Sequence, residues 1–259
     1  MASWLGSYLS ATSWLWSSAL SAIIGATLSP AISWANWTFR VKPPFRNVFQ
    51  VSHKADITCI LPSIPFPASD QPEYIAHSTP FESVFFFRTF LNFAKKIGVS
   101  HHNIHVRLSD MDSSEKELDG NLFCLGGPIH NRISKALLQT VPIRDEVRFN
   151  GHDLECLRSK TVYRAEIEAN KIVRDFALLM VAPNPWSPEK RVILLAGCRG
   201  HASIPIFGYI SERSKINELA RYRGDDGGKF LYAIFSARIQ HIGYTARGAP
   251  GLAVGSRKA

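Results

Sequence analysis

Two short stretches carry the residues best suited to chemistry: Arg191-Val-Ile-Leu-Leu-Ala-Gly-Cys-Arg-Gly-His201 and Asn121-Leu-Phe-Cys-Leu-Gly-Gly-Pro-Ile-His-Asn131. In each, an apolar run too short for a helix reads as a buried strand that breaks at glycines before a helix-length segment. A chain that turns from strand to helix in this way points backbone N–H groups outward at the helix start. With the helix dipole behind them, those groups favour an anion. Gly126, Gly127, Gly197 and Gly200 would let a ligand approach the backbone. Asn131, Arg199 and His201 would add polar contacts, Arg199 as a bidentate fork for phosphate. The competing reading is architectural: glycines end strands wherever the chain must turn sharply. Neither stretch is a specific motif, since G-x-G-x-x-G and the Walker lysine are both missing.

A second chemistry centres on Cys198. Ala196-Gly197-Cys198-Arg199-Gly200 has the small-x-nucleophile-x-small form of a strand-to-helix elbow. Cys198, then Asp225 or Asp226, then His241 would follow the order nucleophile, acid, base. A thiol at a helix start beside Arg199 is expected to have a lowered pKa. Little chain follows Cys198 to build such a triad, and Ile204 stands where a phosphatase-type loop needs arginine. His201 either donates to a ligand or simply caps a helix at the surface.

The elements needed to position these residues are readable in order. Residues 56–62 form a strand that ends in a proline-rich loop through Pro72. Thr79-Pro80-Phe81-Glu82 has the form of a capping box, and the helix it opens runs to Ile97, stopped by Gly98. Its phenylalanines read as core. Residues 103–109 alternate as a strand, followed by an acidic loop whose carboxylate spacing does not fit an EF-hand. After the strand 121–125, Asn131 caps a helix over 132–139. Short strands around Gly151-His152-Asp153, an alternating run over 161–167 and a buried strand over 175–182 suggest an antiparallel insert or edge. Residues 183–188 form a rigid loop into the strand that begins at Arg191. Helices over 204–211 and 214–221, a turn at 224–228 and a strand over 230–239 complete the pattern. The rhythm predicts an α/β fold: a Rossmann-like, mostly parallel sheet with right-handed crossovers. Ligands in such sheets sit at the carboxyl ends of strands, where both glycine turns lie.

The pair Leu-Gly-Gly-Pro-x-x-Asn and Ala-Gly-Cys-x-Gly resembles segments of uncharacterised prokaryotic Rossmann-like proteins, including nucleotide-sensing domains of the SLOG type. The resemblance spans residues 56–240 in the rhythm of elements and only the two glycine turns in motif. It departs from the SLOG-type pattern in lacking a G-G-x-x-G-x-M/G-E constellation, so no catalytic residue is carried over. It implies a domain that senses a nucleotide.

Composition bounds the rest. The net charge of +9 invites a polyanion, but the basic residues are scattered and no nucleic-acid-binding motif occurs, so no specific nucleic-acid partner is expected. Cys59, Cys124, Cys156 and Cys198 show no zinc spacing and no disulfide framework, so no metal is expected and the main domain reads as reduced. Residues 1–39 contain no charged side chain; apolar positions follow helical spacing, and Ser13, Ser17, Ser21, Gly25 and Ser29 recur every four residues. Such a stripe suits helix contacts in lipid, and Arg40, Lys42 and Arg46 beyond it would keep the rest of the chain cytoplasmic. A signal peptide cleaved near Ser33-Trp34-Ala35 and an interfacial helix are the alternatives. The expected organisation is a hydrophobic helical membrane anchor over 1–39, a linker over 40–55, the α/β domain over 56–247 and a flexible tail over 248–259. The leading expectation is a membrane-tethered binding or sensing domain for a nucleotide or related phosphate ligand, with no further cofactor. A homo-oligomer is a further expectation. A hydrolase acting through Cys198 and an interaction scaffold without a ligand are the other two readings.

Overall fold

A computed structural model describes residue 30 and residues 42–52, 54–68, 71–78, 81–97, 99–110, 118–140, 142–223, 230–239 and 253–257. The chain divides into two compact units, Met1–Pro43 and Pro44–Ala259. The hydrophobic segment 1–39 (apart from Pro30), the cap residues 79–80, Gly98, most of the acidic loop, and the 224–228 turn lie outside the described residues. No described helix is long and apolar enough to cross a membrane.

The fold is mixed α/β. The strands are β1 (Ile57–Leu61), β2 (Ile64–Ala68), β3 (Gln71–Ser78), β4 (Ile104–Leu108), β5 (Asn121–Leu125), β6 (Val147–Asn150), β7 (Asp153–Cys156), β8 (Thr161–Tyr163), β9 (Glu166–Glu168), β10 (Lys171–Asn184), β11 (Ser187–Gly197), β12 (Phe230–Arg238) and β13 (Ala253–Arg257). The helices are α1 (Lys42–Phe49), α2 (Phe81–Ile97), α3 (Arg132–Thr140), α4 (Ser203–Ser211) and α5 (Arg213–Arg223). Among the described residues the main sheet runs β13-β12-β10-β11-β5-β1-β4, with β9 pairing β10 off that path. β4, β1, β5 and β11 are mutually parallel. From β11 onward the sheet is antiparallel. The sheet expected to be mostly parallel with an antiparallel insert or edge thus has a parallel half and an antiparallel half, and the reason for the second is local. Residues 183–188, expected as a rigid loop, extend the flanking strands into one long hairpin turned at Pro185-Trp186, and strands joined so tightly must be antiparallel.

β1, β5 and β11 are buried on both faces, as central strands of a covered sheet must be. One face carries an aromatic layer: Phe90 of α2 lies 4.2 Å from Phe123 of β5 between ring centroids, and Phe207 of α4 stacks on Phe123 at 5.7 Å. Phe49 meets Phe93 edge-on at 5.0 Å, which docks α1. The linker expected over 40–55 therefore contains a helix, whose Phe45, Val48 and Phe49 form an apolar stripe. On the opposite face Ile133, Leu137 and Leu138 of α3 pack with Val147, Leu154 and Cys156 of the separate antiparallel sheet β6-β7-β8 over Ile60, Leu122, Leu194 and Met180. Residues 64–68, part of the proline-rich loop expected through Pro72, pair with 71–78 as a hairpin, and 253–257 of the expected tail pair with β12.

Candidate functional site

The chain passes from β1 to β4 on one side and returns to β5 on the other, so the strand order reverses at the β1/β5 pair. Ligands of open α/β sheets sit outside the carboxyl ends of the strands at such a reversal. A cavity of about 390 Å³ lies there, a volume typical of small-molecule sites. Pro62 beyond β1, the segment Leu125–His130 beyond β5 and the segment Gly197–His201 with Ser203 and Ile204 beyond β11 form its walls. Phe149, Gly151 and His152 of the β6–β7 hairpin and Ile172 of β10 complete them. Gly126, Gly127, Gly197, Arg199, Gly200 and His201 are thereby brought to one cavity. The two turns nearly touch: a Cβ placed on Gly127 would lie 3.6 Å from the Gly197 carbonyl oxygen.

The first turn is completed by Asn131, which is buried and does not line the cavity. Its Oδ1 accepts from the Ser134 N–H at 3.0 Å, the contact of an N-cap three residues ahead. Its Nδ2 donates to the Leu125 carbonyl at 2.7 Å and to that of Ile60 at 3.4 Å. The side chain thus ties α3 to the ends of β1 and β5, and both amide hydrogens are committed inside the protein. Gly126, at φ +85°, sets the turn itself.

The second turn is completed from elsewhere in the chain. Asp175 on β10 is fully buried, and β10–β11 register sets it beside the start of α4. Its carboxylate accepts from the backbone N–H groups of Phe176 at 2.9 Å, Arg199 at 3.2 Å and Ala202 at 2.9 Å. The anion that the helix start attracts is therefore one of the protein's own carboxylates. Burial raises the Asp175 pKa, against the pull of those three N–H donors and of nearby His201. Gly197 is packed so tightly that a side chain would force its neighbours to give way, since a Cβ would lie 3.0 Å from backbone atoms of Gly200 and from Ser203 Oγ.

Cys198 is buried between these parts. Its thiol faces the Tyr163 carbonyl oxygen at 3.6 Å, and its backbone N–H donates to Phe176. Burial, and then the Asp175 charge, push its pKa up to about 12, opposite to the lowering expected from Arg199 and the helix start. Arg199 is exposed at the rim. Asp225, Asp226 and His241, the expected triad partners, lie outside the described residues.

No protein-family model and no curated protein matches this chain.

Two residues that line the cavity each carry a buried side-chain atom with no hydrogen-bond partner among the described residues, His201 Nδ1 and Ser203 Oγ. His152 Nδ1 lies 3.1 Å from the Cys198 carbonyl oxygen; protonated there it donates, and Nε2 becomes an acceptor. Among the described residues, no group of His, Cys, Asp and Glu is placed to hold a metal ion. Asp175, Ser203, His152 and Phe149 have no signal in the glycine motifs. The one sequence hint is a carboxylate at the head of the apolar run 175–182, because a charge in a buried strand must find partners.

Proposed function

We propose that the cavity binds a small phosphate-containing ligand, a nucleotide in the leading form, and that the domain binds or senses this ligand and carries out no hydrolysis through Cys198. The observation that carries the reading is a pair of buried atoms with no hydrogen-bond partner among the described residues, His201 Nδ1 and Ser203 Oγ, carried by two residues that line the cavity. A buried polar group left unsatisfied costs about 1–3 kcal/mol. Two such groups on residues beside a cavity at the strand-order reversal support a polar ligand there. Because Asp175 fills the start of α4, the phosphate belongs against Arg199 and the first turn. There the N–H groups of Gly127 and Ile129 have no partner among the described residues. The raised Cys198 pKa argues against the hydrolase, since the thiolate is the nucleophile.

The test is thermal unfolding of the full chain with AMP, ADP, ATP and inorganic phosphate, repeated for Ser203→Ala and Gly127→Val. A ligand at a hundredfold its Kd stabilises by about 2.7 kcal/mol. At least one probe is expected to raise Tm, and both variants to reduce the rise. Ser203→Ala should leave ligand-free stability unchanged or slightly higher, because it removes an unsatisfied group. A flat panel at millimolar concentrations, or a Ser203→Ala protein that is destabilised yet keeps the full ligand shift, would overturn the reading.

A further inference from the structure

A second cavity, of about 800 Å³, adjoins the first and shares Pro128, Ile129, Phe149 and Gly151 with it. The two differ in chemistry. Pro62, Leu125, Ile172 and Ile204 line only the first and make it largely apolar. Lys135, Arg144 and Arg148 line only the second, against the single carboxylate of Asp145.

These three cations are only partly spoken for. Arg148 Nε donates to Glu155 at 2.5 Å, which leaves other N–H groups of its fork. Arg144 and Asp145 pair at 3.4 Å with both side chains largely exposed, a geometry that contributes little. Lys135, on the exposed side of α3, has no ion-pair partner among the described residues. An apolar cavity opening beside a cationic one fits a molecule with a flat, weakly polar body at one end and a run of negative charge at the other.

We propose that the two cavities form one bipartite site for a nucleotide bearing two or more phosphates. Its base and sugar occupy the first cavity, and its terminal phosphates cross the Pro128-Ile129 saddle to Lys135 and Arg144. This rests on the reading of the first cavity as a nucleotide site, and extends it by naming where the outer phosphates go. A backbone turn with few free donors holds one phosphate weakly, whereas Lys135 and Arg144 add charge-assisted hydrogen bonds to a second and third.

The experiment is calorimetric titration of the full chain with AMP, ADP and ATP and with GMP, GDP and GTP, in low and moderate salt, against wild type, Lys135→Glu and Arg144→Glu. Both substitutions lie on exposed surface and leave the core untouched. In at least one series, Kd is expected to tighten about tenfold or more from mono- to triphosphate, with the gain shrinking as salt rises. Each variant should weaken the triphosphate about tenfold and leave the monophosphate within about twofold. Equal affinity for mono- and triphosphate, or a triphosphate preference that both variants retain, would overturn the bipartite site while leaving the first cavity as a ligand site. Failure of all six probes to bind would overturn both.

Discussion

The two glycine turns look alike in sequence and are built in opposite ways. At the first, the cap is local: Asn131 sits at the head of its own helix and uses its amide to hold α3, β5 and β1 together. At the second, the cap comes from the neighbouring strand, where Asp175 brings a carboxylate to three backbone N–H groups around the start of α4. A strand-glycine-helix turn is an open anion site only while its N–H groups are unclaimed. The second turn already holds a buried carboxylate on its Arg199 and Ala202 N–H groups, so its contribution to the cavity is the shape set by Gly197 and the faces of His201 and Ser203 that line it. The neutral Asn131 leaves the first turn without a fixed charge, which favours it as the place for a ligand's anion.

The contrast breaks most sharply at the caps. Asp175→Ala strips the acceptor from three buried or half-buried N–H groups, and is expected to cost about 3–5 kcal/mol, the range for removing one side of a buried charged contact. Asn131→Ala loses a neutral cap and two strand-end contacts and should cost about 2 kcal/mol. Urea unfolding of both variants measures the difference; equal losses would mean that Asp175 contributes no more than an ordinary cap. A smaller effect separates the glycines. Gly197→Ala forces a Cβ to within 3.0 Å of Gly200 backbone, and should cost about 1–3 kcal/mol as overpacking. Gly127→Ala meets nothing closer than 3.6 Å and is expected to change stability by less than about 0.5 kcal/mol. Reversal of that order would show that the two turns are not packed as described.

What could be read from the chain follows the range of the interactions. The strands at 121–125 and 191–197 and the helix at 132–140 are set by local apolar runs and turn residues, and they lie where those residues place them. The meeting of the two glycine turns was also legible, because parallel strands bring their carboxyl ends to one edge. Asp175 was not: its role depends on the β10–β11 register, which joins residues far apart in sequence. The wall supplied by Phe149 and His152 escaped for the same reason, since nothing local shows that the β6–β7 hairpin folds over β5. α1 was hidden by Pro43-Pro44, which reads as linker but is tolerated in the first turn of a helix, where N–H groups lack intrahelical partners anyway.

The smallest expected effect concerns Cys198, where the same carboxylate that completes the second turn works against thiol chemistry. Burial is the larger cause of its raised pKa and Asp175 the next. A thiol raised from its ordinary value of 9.0 to about 12 in the folded state contributes stability that is fully present below about pH 9. That stability is lost as pH rises toward 12, because the unfolded chain ionises first. Cys198→Ala should therefore show a shallower loss of stability than wild type between pH 9 and the highest pH at which unfolding stays reversible. At pH 8 the same burial predicts that a disulfide reagent such as DTNB modifies Cys198 far more slowly in the native chain than after unfolding, along with the equally buried Cys59, Cys124 and Cys156. Rapid native labelling of Cys198 alone would instead mark a reactive thiol. It would show that Asp175 does not hold the second turn closed, and it would return the hydrolase reading to the front.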